Sequence, residues 1–235
     1  AAISLMALFA GDIRMVFWFA AIPAVLAVVL LVGVKEPETH AAHGAARPPI
    51  VLADLGELSR TYWGVVAVGA VLTLARFSEA FLVLRAQSVG LGLTWVPLVL
   101  VVMSVVYSAS AYPAGVLSDR MDRRRLMALG FVMLILADLV LAFAGGVFAV
   151  MAGVALRGLH MGLTQGLLAT LVADAAPTHL RGSAFGIFNF VSGVVLLIAS
   201  VLAGLLWDAV GPMATFLAGA GFTAAGLAGL ALLRR

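Results

Sequence analysis

The chain has 235 residues, 64% of them hydrophobic and 11% charged, with a mean hydropathy of +1.17, far outside soluble composition. Too few polar side chains remain to cover a water-facing surface, which excludes soluble enzymes, nucleic-acid-binding domains and secreted domains together. The formal charge of +3 matters through where the basic residues stand along the chain, and the lack of cysteine removes disulfides, thiolate metal sites and cysteine nucleophiles.

A hydrocarbon core of roughly 30 Å takes about 20 apolar residues in helical form. The opening stretch 1–10 is apolar but too short to span, and it lacks the basic start of a signal peptide. Closed by Gly11-Asp12-Ile13-Arg14, it reads as the end of a helix whose beginning precedes the chain. Seven spanning segments are then expected, at 15–34, 62–84, 95–117, 126–144, 147–172, 183–207 and 213–233. The connections are short except for 35–60, where Glu36-Pro37-Glu38, His40, His43, Pro48-Pro49, Asp54 and Glu57 read as a polar tether between two helical bundles. Its later part, 50–59, is compatible with a short surface helix. His40 and His43 have no carboxylate or thiol partners at ligand spacing, so no metal site is read there.

With the tether on the cytoplasmic side, ten of the fourteen basic residues lie on that side: Lys35, Arg47, Arg60, Arg120, Arg123, Arg124, Arg125, Arg181, Arg234 and Arg235. The opposite side holds Arg14 and Arg85, while Arg76 and Arg157 fall inside spans. One topology therefore satisfies the positive-inside bias at every loop, with the tether and the C-terminus cytoplasmic.

An ionisable group at mid-depth costs about 2.5 to 3.5 kcal/mol on insertion scales, so such residues mark function first. Arg76 and Glu79 stand three apart, so they lie on one helical face and can neutralise each other. They read either as an ion pair fixing helix register or as a proton or substrate site. Arg157 and His160 repeat that spacing, with Thr164 continuing the face and Gln165 beside it; His160 is a packing residue or a proton relay. Tyr107 with Ser104 and Ser108, and Asn189 with Ser192, add uncharged hydrogen-bonding faces. Gly158, Gly162 and Gly166 recur every four residues, which points to close helix packing, and no strand precedes them to make a phosphate cradle. His-Glu-x-x-His and Gly-x-Ser-x-Gly are absent, as is an aspartate pair facing one cavity, so neither an enzyme nor a cofactor is expected.

The most specific string is the charged turn Gly115-Val116-Leu117-Ser118-Asp119-Arg120-Met121-Asp122-Arg123-Arg124-Arg125. Positive-inside bias alone requires neither its Gly nor its Asp. Gly115 is expected to let a neighbouring helix approach, Asp119 to face a helix N-terminus or an arginine, and the arginines to anchor at an anionic surface. The string resembles the loop motif of the major facilitator superfamily (MFS): Gly, three residues, Asp, Arg or Lys, one residue, Gly, Arg, Arg. Gly115, Asp119, Arg120, Arg123 and Arg124 match, and Asp122 stands where that family usually has Gly. Phe17-Trp18-Phe19 to Pro23 with Lys35-Glu36-Pro37 is similar to the family's sixth helix and its exit. Asp174 through Pro177 to Arg181-Gly182-Ser183-Ala184-Phe185-Gly186 is similar to the entry into its eleventh.

The resemblance implies an all-α, polytopic membrane helix bundle running from the end of helix five through helix twelve of a twelve-helix transporter. It divides into the end of the N-terminal bundle (1–34), a cytoplasmic linker (35–60) and a C-terminal six-helix bundle (61–235). It implies a cytoplasmic gate of Gly115, Asp119, Arg120, Arg123, Arg124, Asp174 and Arg181, with Asp119 near the N-terminus of the Ser183 helix and Asp174 near Arg123 or Arg124. A substrate and proton pathway of Arg76, Glu79, Tyr107, Arg157, His160, Thr164, Gln165 and Asn189 follows, because these fall on the helices matching family positions seven, eight, ten and eleven. Asp138 lies on a helix that the resemblance turns toward lipid, and is expected to snorkel outward or to meet a partner. The function implied is alternating-access transport of a small solute; it is read as proton-coupled export in preference to import, while the family's antiporter signature falls on helix five, which almost wholly precedes the chain. The expected partners are the lipid bilayer, a small-molecule substrate, the proton and the preceding N-terminal bundle of the same chain. Thirteen Arg against one Lys in an Ala-, Gly-, Val- and Leu-rich chain suit a GC-rich bacterial genome and hence an inner membrane. The competing reading is a half-sized bundle that self-associates through its glycine faces as a scaffold.

Overall fold

Inside a bilayer an apolar segment can satisfy its backbone only as a helix or in a closed barrel. In the computed structural model, which describes residues 13–32 and 56–232, every extended element is a helix. In chain order these are α1 (Ile13–Val32), α2 (Arg60–Ala75), α3 (Ala80–Ser88), α4 (Val96–Arg120), α5 (Arg123–Ala142), α6 (Val147–Ala175), α7 (Arg181–Ala209) and α8 (Pro212–Leu232), with single turns of 3-10 helix at Leu93–Trp95 and Thr178–Leu180. Six stretches are long and apolar enough to cross a membrane: Arg60–Ser88, Leu93–Arg120, Arg123–Ala142, Val147–Ala175, Thr178–Ala209 and Pro212–Ala231. The first expected span corresponds to α1, whose described side chains are all exposed. The stub 1–10 and nearly all of the tether, including His40 and His43, lie outside the described residues.

Helix ends follow local chemistry. Ser59 caps α2 by accepting from the Tyr62 amide at 3.1 Å. Asp122 caps α5 by accepting from the Arg124 amide at 3.0 Å, so the residue departing from the family's Gly starts a helix. The tight turn between α7 and α8 needs a left-handed residue and has Gly211 at φ 111°.

The expected helix 62–84 is not continuous. It breaks after Ala75, with Arg76 at φ −101° and ψ 45°, and resumes at Ala80. Inside a membrane such a break persists only where neighbours satisfy the freed backbone. Here the Ser78 amide donates to Ser200 Oγ at 3.3 Å, the Ala80 amide donates to Ser78 Oγ at 3.3 Å, and Arg157 Nη2 donates to the Phe77 carbonyl at 3.1 Å.

Small residues set how closely the helices approach. A Cβ at Gly158 would sit 2.5 Å from the Met103 carbonyl oxygen, and one at Gly162 would overlap Ser110, so α4 lies directly on α6. Gly153 against Leu141, and Gly130 against Thr164, seat α5 on the same helix. Gly166, the third member of the repeat, has nothing within 4 Å of an added Cβ, so the packing reading holds for two of its three members. Beside α3, Phe77, Phe81, Trp207 and Phe216 form a chain of tilted and edge-on ring contacts. The α4 and α7 spans stand apart, with 11% of their apolar windows buried against 39–50% in the other four.

Candidate functional site

The α2–α3 break, the middle of α6 and the first half of α7 enclose a cavity of about 880 Å³. Of the residues expected along a solute pathway, Arg76, Glu79, Arg157, Gln165 and Asn189 line it. Ser78, Ser200, Phe77, Phe185 and Phe188 line it as well and were not anticipated. A signal for the α7 wall was present: Phe185, Asn189, Ser192, Leu196 and Ser200 recur at three- and four-residue steps, one face of a helix. The site has the usual composition of a solute pocket, an apolar wall with a few converging polar groups.

Arg76 and Glu79 reach this cavity from opposite ends of the break rather than from one helical face. They do not pair within 4 Å, and neither side chain makes a hydrogen bond among the described residues. No ion pair within 4 Å forms, because the i, i+3 relation exists only in an unbroken helix, and the two charges stand apart on one cavity wall.

Arg157 is placed differently from Arg76. It is 3% exposed, and its Nη1 donates to Asp138 Oδ1 at 3.3 Å. Its guanidinium also lies over the Phe77 ring, 5.4 Å from the centroid. Asp138 is 0% exposed, which overturns the expectation that it snorkels outward from a lipid-facing helix; of the two outcomes expected it meets a partner, Arg157 of the same chain. Its side of α5 is covered by Arg157 of α6, Phe77 from the break and Gly219 of α8. Asp138 Oδ2 has no hydrogen-bond partner among the described residues.

Three of the expected pathway residues lie outside the cavity lining. His160 is fully buried between α5 and α6, with Nδ1 2.7 Å from the Gly130 carbonyl oxygen. A ring nitrogen facing a carbonyl must carry a proton, and Nε2 has no partner among the described residues. Thr164 is buried in the same contact and donates to the His160 carbonyl at 2.9 Å. Tyr107 is half-buried on α4.

At the opposite end of the pathway, Arg123 Nη1 meets Asp174 Oδ2 at 2.6 Å, the pairing expected for Asp174. Arg181 Nε donates to the Ala173 carbonyl at 3.2 Å, Ser59 Oγ donates to the Ala175 carbonyl at 3.3 Å, and His179 Nε2 lies 3.1 Å from Glu57 Oε2. The end of α6 is thus tied to the starts of α5, α7 and α2. Asp119 is exposed and makes no hydrogen bond or ion pair among the described residues, so its expected seat at the start of the Ser183 helix is not observed. The start of α7 is drawn elsewhere: Leu180 and Ala184 pack with Tyr62 and Val172, and Tyr62 Oη donates to the Ala184 carbonyl at 2.9 Å. Gly115 has nothing within 4 Å of an added Cβ, so no described helix uses it for close approach. Arg120 is exposed beside it.

Among the described residues, six helices long and apolar enough to cross a membrane, with a cavity between them, are the architecture of a multi-pass membrane protein. The family model of the Major Facilitator Superfamily matches residues 80–235, and the chain belongs to that superfamily. It is 30% identical over 160 residues to an uncharacterized MFS-type transporter of Methanocaldococcus jannaschii, a match covering 66% of this chain and 40% of the relative. Over 105 residues it is 34% identical to the human solute carrier family 2, facilitated glucose transporter member 4, covering 43% of the chain and 20% of the relative. Over 104 residues it is 35% identical to the multidrug efflux pump Tap of Mycobacterium bovis, covering 44% of the chain and 25% of the relative. Each match therefore spans less than half of the relative's length. The family read from the turn 115–125 is the one the chain belongs to, and the all-α membrane bundle it implied is the fold observed.

Proposed function

We propose that the chain is the carrier half of a secondary transporter that moves a small solute across the bacterial inner membrane by alternating access, coupled to protons and directed outward. The observation that carries this reading is the cavity between α2–α3, α6 and α7, where Arg76 and Glu79 stand unpaired among the described residues at a break in a membrane helix. A break of that kind belongs where irregular backbone lines a polar cavity. The sparse burial of α4 and α7 leaves two long apolar faces for a second bundle to cover, which supports the division into 1–34, 35–60 and 61–235. The outward direction is supported by similarity to a relative named a multidrug efflux pump.

Glu79 takes up and releases the coupling proton, since it is a carboxylate on the cavity wall with no cation paired within 4 Å among the described residues. The Arg123–Asp174 pair, with Arg181 at the start of α7 bonded to the last turn of α6, forms the cytoplasmic gate, which the exposed Asp119 and Arg120 flank. The test uses the full-length polypeptide in sealed vesicles. Glu79→Gln is expected to abolish solute movement driven by a pH gradient while sparing counterflow; unchanged proton coupling in that variant refutes the assignment.

A further inference from the structure

Asp138 has no part in the scheme above, and its surroundings are unusual for a structural carboxylate. One oxygen meets Arg157 at 3.3 Å, long for a charge-assisted bond of about 2.7 to 2.9 Å. The other has no partner among the described residues and points at the Gly219 position of α8. A carboxylate withdrawn from water and held by one loose bond is poorly compensated as an anion.

The ionisable groups around it are few. On α6 Arg157 touches it, and His160, one turn further on, is engaged with Gly130. At the α2–α3 break stand Arg76 and Glu79, both on the cavity side. The facing helix α8 carries no ionisable residue. The charge state of Asp138 therefore hangs on Arg157.

Arg157 is also part of the cavity wall. It stands between the buried carboxylate and the solute space, holding the Phe77 carbonyl with its second nitrogen. Arg76 lines the same space without a hydrogen-bond partner or an ion pair within 4 Å among the described residues, with Glu79 on the same wall, and Phe77, Phe185 and Phe188 supply aromatic surface. Two guanidinium groups beside aromatic walls suit a carboxylate or similar anion attached to an apolar body.

We propose that the cavity takes an organic anion, and that the anion claims Arg157 from Asp138, which then takes up one proton from solvent and becomes the neutral acid. Nothing is oxidised or transferred; the guanidinium exchanges one carboxylate partner for another, and the displaced carboxylate is neutralised. Arg157 is the positioning residue and Asp138 the proton acceptor. This assignment deepens the transport reading by naming the solute class and rests on it only for the step across the membrane: the proton on Asp138 neutralises the site while the anion is bound, and coupling to a pH gradient stays with Glu79.

The experiment is calorimetric titration of the purified full-length protein with benzoate at neutral pH, in two buffers of different ionisation enthalpy. The wild type and Glu79→Gln are expected to take up a measurable fraction of a proton, at most one, per benzoate bound. Asp138→Asn is expected to bind benzoate with no proton uptake. Should Asp138→Asn fail to fold, Arg157→Gln tests the same link, with affinity lowered about tenfold or more and proton uptake lost. The inference is overturned if the wild type does not bind benzoate, if it binds without proton uptake, or if uptake persists in Asp138→Asn. Because the readout is equilibrium binding, Asp138-dependent uptake in a protein that moves nothing across a vesicle membrane would uphold this link and remove the transport reading. Transport without such uptake would do the reverse.

Discussion

Gly158, Gly162 and Gly166 look alike in the sequence and differ in what an added methyl would meet. At Gly158 the Cβ would lie 2.5 Å from the Met103 carbonyl oxygen and 3.2 Å from Val106 Cβ. The first obstacle is helix backbone, so Gly158→Ala forces α4 and α6 apart as bodies. At Gly162 the methyl overlaps the Ser110 hydroxyl, a small side chain bonded back to the Val106 carbonyl at 2.7 Å and able to turn away. At Gly166 it meets nothing within 4 Å. Each substitution gains the same helix propensity, about 1 kcal/mol, so differences among the three isolate the packing. Overpacking against backbone costs roughly 1 to 3 kcal/mol, which puts Gly158→Ala below Gly166→Ala by that amount, with Gly162→Ala between them. Thermal unfolding of the full-length protein in one detergent reads this directly. At about 2 to 4 °C per kcal/mol the gap between the outer two variants is roughly 2 to 12 °C. Equal melting of Gly158→Ala and Gly166→Ala would refute the close contact of α4 with α6.

Three further outcomes are expected. Tyr62→Phe removes a buried hydroxyl bonded to the Ala184 carbonyl and lowers stability by about 1 to 2 kcal/mol, measured by the same melts. Arg85 donates to the carbonyls of Leu141 at 2.9 Å and Ala144 at 2.7 Å, capping the end of α5; Arg85→Gln is expected to speed hydrogen exchange in the last turn of α5 and leave its first turns unchanged. Asp174→Asn breaks a pair whose side chains are 46% and 57% exposed and changes stability by less than about 1 kcal/mol. Its expected effect is on gating, read as faster labelling of a cysteine placed at Ser192 by a reagent added from the cytoplasmic side. An unchanged labelling rate would remove Asp174 from the gate.

Much of the fold was legible because bilayer thickness, helix rise and basic-residue placement constrain a membrane chain severely. Expected and observed spans agree to within a few residues over 95–232. Less visible was the interruption at 76–79. No proline or glycine marks it, since Ala75-Arg76-Phe77-Ser78-Glu79-Ala80 reads as helix by propensity. Its causes are remote: Ser200 and Arg157, more than a hundred and about eighty positions away, take up the backbone groups it releases. The cavity inherits the same limit. Arg76, Glu79, Gln165 and Asn189 could be picked out one by one as polar groups at depth, but which of them share a wall depends on the break. His160 and Thr164 have the same signature and sit in a helix contact instead, turned there by the gap that Gly130 leaves.

Asp138 marks where reasoning from resemblance displaced a sounder physical argument. An acid in a membrane helix faces the bundle by default, because lipid offers it no counter-charge. Treating its helix as lipid-facing required an exception for this one residue, and the exception was unnecessary. The α5 helix is among the best-covered spans, with 50% of its apolar window buried, and Asp138 points into that cover. Once it is there, the arginine nineteen positions later changes meaning. Arg157 stops being a second free cation for a solute and becomes a group already shared between a carboxylate, a carbonyl and a ring. Arg76 then stands as the cavity's unshared guanidinium among the described residues, and the selectivity of the cavity turns on how readily a solute can draw Arg157 away from Asp138.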